Sequence, residues 1–172
     1  MGDVEDARER AVLVAALDEA RAHVLAQVAR MSDADLGRAA APSGWTALGL
    51  VRHLTLSDER YWFETVVAGG SLDWWPTGAP GDALDPDWTV PHGMGAREVV
   101  DAYRAAIRRS DDVIAATALD AAPLRPEPGW VEAGRFPDVR SILVHVIVET
   151  STHAGQLDVA RELLDGGQHI VL

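Results

Sequence analysis

The chain contains no cysteine. That excludes disulfides, thiolate metal sites and a cysteine nucleophile together, so any thiol chemistry would need a thiol brought in from outside. Long apolar runs are missing as well: none approaches the ~18 residues that a membrane span requires. Basic side chains are scarce, 15 against 27 acids, and the net charge is −12. A surface this negative repels phosphate backbones, so no nucleic-acid partner is expected. The opening residues Met-Gly-Asp-Val-Glu-Asp are acidic and lack a basic start followed by a greasy stretch. No secretion signal is expected on that ground, and a cytoplasmic location is the expectation.

Several catalytic fingerprints are also missing. No phosphate-binding loop is present, and Gly93-Met94-Gly95 is followed by Ala-Arg and preceded by no strand, so it fails the dinucleotide pattern. His145 and Glu149 do not form His-Glu-x-x-His, the zinc-protease helix. No Ser-His-Asp arrangement can be argued around Ser57 or Ser151.

What is present is helix. The 172 residues suit one domain spanning the whole chain. Valine is common but mixed with so much Ala, Leu, Asp, Glu and Arg that helix is favoured over sheet. Four long segments carry helical periodicity. The first runs from about Asp6 to Arg30, with Val12, Leu13, Ala16, Leu17, Ala20, His23, Val24 and Gln27 as its inward stripe. The second opens at Ser43-Gly-Trp-Thr, with Thr46 as N-cap and a hydrophobic staple of Trp45 on Leu50. Its broad face carries Leu50, His53, Leu54, Ser57 and Tyr61, and it fades at Gly69-Gly70. The third runs from about Ala96 to Ala118, with Val99, Val100, Tyr103, Ile107, Val113 and Ile114 inward and Arg104, Arg108 and Arg109 outward or at an edge. The fourth starts at the N-cap Asp138 after Pro137 and stops at Gly166-Gly167.

Residues 70–94 break the pattern. Trp74, Trp75 and Trp88 sit among Pro76, Pro80, Pro86 and Pro91, a composition too proline-rich for a helix and too tryptophan-rich for a flexible linker. Such a segment makes a lid, a pocket wall or an interface, or simply covers the end of the bundle. Pro123, Pro126, Pro128 and Gly129 mark a second irregular stretch. No internal repeat or low-complexity tract occurs. The fold class is therefore all-α, a four-helix bundle with a long crossover between helices 2 and 3.

The last segment holds the residues with most chemical potential. His145, Glu149 and His153 are spaced by four, and each such step turns the helix face by only about 40°. Glu149 and His153 thus point the same way, as carboxylate and imidazole do in bundle metal sites. Leu143, Val146, Ile147, Leu157 and Ala160 flank them, and a carboxylate in such surroundings needs an arginine (Arg52 or Arg104), a hydrogen-bond network or a metal. His53, on or beside the Leu50/Leu54 face, would complete two imidazoles and one carboxylate, a shell that leaves positions open for water or substrate; otherwise it is a core-edge histidine with one hydrogen bond. His145 is a fourth ligand, a supporting partner or a packed residue. His23, His92 and His169 read as surface or loop residues.

Ser43-Gly-Trp-Thr with Leu50-Val-Arg-His-Leu, and Glu149-Thr-Ser-Thr-His-Ala-Gly-Gln-Leu-Asp, together resemble the two motifs of the DinB-like superfamily. More narrowly, His145-Val-Ile-Val-Glu-Thr, His153-Ala-Gly, Asp158, Arg161-Glu and Asp165-Gly resemble a little-characterised actinobacterial branch of it. The resemblance implies a four-helix bundle with one divalent metal ion held by His53, Glu149 and His153. Glutamate at position 149 is similar to the mycothiol-dependent maleylpyruvate isomerase group. Zinc is the expected ion, with nickel, iron or manganese also suited to this donor set. The resemblance further implies a thiol-dependent transferase or isomerase acting on a small electrophile, with mycothiol as candidate co-substrate. Tyr61, Gln156 and Arg104 are candidate pocket residues, with Trp74 and Trp75 as candidate walls. The alternative is a non-catalytic bundle that binds a metal or small ligand for sensing, resistance or storage. A homodimer suits either reading.

Overall fold

The structure is a computed structural model that describes residues 2–78, 84–125 and 134–169. Pro80, Pro126, Pro128 and Gly129 lie outside the described residues.

Four long helices form the bundle. Helix α1 is Gly2–Val28. Helix α2 begins at Ala47–His53 and continues without a break through wider π-type turns over Leu54–Val67. Helix α3 is Ala96–Ala116 and α4 is Val139–Asp165. A single helical turn at Asp33–Leu36, capped by Ser32, links α1 to α2. Among the described residues there is no strand beyond an isolated bridge between Ala39 and Thr46. Helix α1 lies along α4, α2 lies along α3, and α2 meets α4 across the bundle. The segment between α2 and α3 is the long crossover, and it carries a 3₁₀ turn at Pro86–Trp88.

The ends of the helices follow local chemistry. The Thr46 hydroxyl accepts a bond from the Gly49 N–H at 3.0 Å, and the Asp138 carboxylate accepts one from the Ser141 N–H at 2.8 Å. Gly166 closes α4 at φ +74°, the left-handed conformation that glycine adopts without penalty. Trp45 packs against the cluster that contains Leu50, as the staple requires, and also meets Trp88 edge-on.

The core has two apolar lobes. One gathers Leu17, Trp62, Phe63, Ile114, Phe136, Ile142 and Val146; the other gathers Val24, Leu50, Leu54, Tyr103, Ala154 and Leu157. A polar waist lies among the same helices. Arg21 of α1 donates to both Glu59 oxygens of α2 at 2.8 and 2.6 Å and to Asp111 of α3 at 2.8 Å. Ser110 donates to the Glu59 carbonyl at 3.3 Å. The inward stripe of α1 needs one correction. Val12 is 64% exposed, because it precedes Leu17 by five residues and so points about 140° away from the buried Leu17–Ala20–Val24–Gln27 line.

Candidate metal centre

Helix α2 brings an unusual number of side chains to one cavity. In an α-helix Asp58 and Trp62 would point about 140° and 180° away from His53. The π-type turns carry i→i+5 bonds, which bring every fourth and fifth residue onto one face. His53, Ser57, Asp58, Tyr61 and Trp62 accordingly all line the same cavity, about 680 Å³ in volume. From α4 come His145 and Glu149, and from the crossover come Leu72, Trp75, Asp87 and Trp88.

The crossover is seated on α2 through Gly49. A Cβ there would lie 2.4 Å from the Trp88 carbonyl oxygen, so only glycine permits the approach. Two contacts follow. The Trp88 ring stacks on His53 with centroids 4.2 Å apart, 20° from parallel. The Asp87 carboxylate accepts from His53 Nδ1 at 2.6 Å and from the Ser57 hydroxyl at 2.8 Å. Burial pushes Asp87 up, but the bonds from His53 and Ser57 together outweigh it, and the carboxyl titrates below its usual range. An ionised Asp87 can only accept, so it fixes the proton of His53 on Nδ1 and leaves the Nε2 lone pair free.

His153 is held in the same manner. Its Nδ1 donates to Gln156 Oε1 at 2.9 Å. Burial, then the neighbouring His53, lower its pKa against the opposing pull of Gln156 and Glu149, so the ring is neutral at neutral pH. The His53 and His153 rings stand edge to face, 4.9 Å apart. Glu149 Oε2 lies 3.9 Å from His153 Nε2, and Oε1 lies 3.9 Å from His145 Nδ1.

The structure therefore sets both His53 and Glu149 beside His153, and it differs from expectation in several respects. Glu149 is not buried: its side chain is 41% exposed and opens toward the cavity, because the crossover leaves a mouth beside it. Among the described residues no arginine pairs with it. Arg104 lies on the outer face bonded to Asp101 at 3.2 Å and takes no part in the pocket. His145 packs between Trp62 and Phe136, each 4.8 Å away, and burial lowers its pKa. Trp75 walls the cavity, whereas Trp74 turns aside under the Arg60 guanidinium at 3.9 Å. Asp87 and Asp58 are the cavity residues that the sequence did not announce, and Trp88 was announced only as part of the aromatic crossover. Asp58 is buried, and burial together with the charges of Glu59 and Glu149 raises its pKa well above the carboxylate range, against the opposing bond from Thr150.

The donor set suits a divalent ion: two imidazoles, each oriented through Nδ1 with Nε2 turned away from that partner, and a carboxylate one turn before the second. The trio is open rather than tight. Among the described residues, the three donors that converge within 4.8 Å of one another are His23, Asp158 and His169. Glu149 is the most exposed of the three, its side chain 41% accessible.

Two histidines and a glutamate of α2 and α4 thus lie by an aromatic-walled cavity, and the DinB-like class of the bundle is shown by a family model. A family model described as mycothiol-S-transferase matches residues 12–166, and the chain belongs to that family. The family is one of mycothiol-dependent transferases, whose substrates are small molecules. No curated protein and no solved structure matches the chain. Among the described residues no helix is long and apolar enough to cross a membrane.

Proposed function

We propose that His53, Glu149 and His153 hold one divalent metal ion, zinc by preference, and that the protein uses it to transfer mycothiol to a small electrophile. The observation that carries this reading is the matched support of the two imidazoles. Asp87 holds Nδ1 of His53 and Gln156 holds Nδ1 of His153, so both Nε2 lone pairs remain available. A bound ion supplies Lewis acidity that favours the thiolate form of an incoming thiol. The chain has no thiol of its own, so the thiol enters as a co-substrate.

The chain's residues account for the remaining tasks. Trp75, Trp88 and Tyr61 present aromatic surface to the electrophile and exclude water from it. Asp87 keeps the His53 proton on Nδ1 throughout. Asp58, with its raised pKa, offers a protonated carboxyl as a hydrogen-bond donor within the cavity.

Mycothiol consumption against a panel of electrophiles tests the reading. Zinc-loaded protein consumes the thiol, chelator-stripped protein does not, and added zinc restores turnover. His53→Ala and His153→Ala reduce it to the uncatalysed rate. Turnover that survives both chelation and these substitutions overturns the proposal.

A further inference from the structure

His23 and His169, which read from the sequence as unrelated surface or loop residues, meet in the structure. Helix α4 ends at Asp165, and Gly166 at φ +74° turns the chain back. Gly167 lies flat against the Arg161 guanidinium, where a Cβ would fall 2.3 Å from Nη2. The returning segment lays the His169 ring on that of His23, with centroids 3.9 Å apart and 20° from parallel. Asp158 of α4 completes the group: its Oδ1 lies 2.8 Å from His23 Nε2. One donor atom from each of the three residues falls within 4.8 Å of the others.

Asp158 is held in place from beneath. Gln27 Nε2 donates to its Oδ1 at 2.6 Å, and Gln27 Oε1 accepts from Arg161 Nη1 at 2.6 Å. Gln27 is fully buried and Arg161 is 8% exposed. A buried amide and guanidinium thus fix a half-buried carboxylate beside two imidazoles, the arrangement in which outer partners orient metal ligands. Stacked imidazoles repel if both are protonated and are compatible when both are neutral, the form that coordinates. A chain of net charge −12 also draws cations to its surface.

We propose that His23, Asp158 and His169 form a second divalent metal site, of the zinc type, that fastens the segment after α4 to α1. Two imidazoles and a carboxylate are an ordinary zinc donor set. The site is separate from the first one. Asp158 follows His153 by five residues, which is about 7.5 Å along α4 and about 140° around it. It also uses α1, which supplies nothing to the cavity. Bound metal stabilises the folded chain by mass action and holds the segment after α4 closed.

Zinc titration of tag-free, chelator-stripped full-length protein against a competing chromophoric chelator tests this. Wild type takes up two ions per chain, His53→Ala/His153→Ala takes up one, His23→Ala/His169→Ala takes up one, and the variant lacking all four histidines takes up none. In the His53→Ala/His153→Ala background zinc raises the melting temperature, and adding His169→Ala alone abolishes that rise. His169 is exposed and outside the helices, so this last change leaves the core intact. If His53→Ala/His153→Ala binds no more zinc than the four-histidine variant, the second site is refuted. The outcomes also separate the two sites. Wild type that takes up one ion, with that ion surviving His53→Ala/His153→Ala, leaves this site standing and removes the first. Wild type that takes up one ion, with that ion surviving only His23→Ala/His169→Ala, does the reverse.

Discussion

Asp87 decides more about the site than its distance from the ligands along the chain suggests. It touches no ion in the proposed arrangement, yet it fixes which nitrogen of His53 is free. Asp87→Asn keeps the shape and loses the charge that pins the proton. Zinc affinity should fall about 10- to 100-fold, the usual cost of losing such an outer partner, with the helical content unchanged; chelator competition and circular dichroism measure the two. A second expectation concerns pH. Burial holds His145 and His153 below their ordinary value of 6.5. Below that value these two histidines bind more protons in the unfolded chain than in the folded one, so their contribution to stability rises with pH through this window, while the raised pKa of Asp58 acts in the opposite sense. In metal-free protein the contribution of the two rings should therefore be complete above 6.5 and be lost as pH falls through the two lowered values. Denaturant unfolding across pH checks this, and His145→Gln should flatten the decline. Glu149 and His153 could be placed on one face of α4 because that helix is periodic, whereas His53 was joined to them by the resemblance of its motif. Asp87 and the stacking of Trp88 on His53 were not legible, because both residues lie in an aperiodic segment. Asp87 reaches His53 across 34 residues with no repeat to place it.

Among the elements, α2 and the crossover behave as one unit. Alanine is the better helix former, so Gly49→Ala would strengthen an isolated α2 by ~1 kcal/mol. In the fold its Cβ meets the backbone carbonyl of Trp88, which cannot rotate away. The net effect should be a loss of about 1–3 kcal/mol from overpacking. Weaker zinc binding should accompany it, because Asp87 and Trp88 move with that carbonyl. Urea unfolding and the zinc competition assay read these out. A variant that gains stability and keeps its affinity would show that the contact is not what seats the crossover. The start of α2 and both ends of α4 were legible from Thr46, Asp138 and Gly166, since capping is local chemistry. The aromatic crossover was recognisable as irregular, but its place against α2 depends on a glycine whose need arises only in three dimensions. The π-type turns of α2 had no sequence mark either. They become intelligible once His53, Ser57, Asp58 and Trp62 are seen to share a cavity.

At the scale of the whole molecule, the bundle is tied across its middle by Arg21, Glu59 and Asp111, one residue from each of three helices. Breaking a buried pair on one side leaves an unmatched charge, so Glu59→Leu should cost about 3–5 kcal/mol in urea unfolding. Arg21→Met/Glu59→Leu should recover most of that loss, because neither charge is then left buried alone. The architecture itself was legible, since four periodic stretches and one long irregular one admit few arrangements. The pairing of α1 with α4 was not, because both carry apolar stripes that would suit other partners. That pairing also brings His23 to Asp158. The claim on which the functional account rests is that α2 and α4 meet around an ion. Anomalous diffraction at the zinc edge, from crystals of the zinc-loaded protein, tests it most directly. The account predicts a peak bounded by His53, Glu149 and His153. A fully loaded crystal with no anomalous density between those three residues would contradict it.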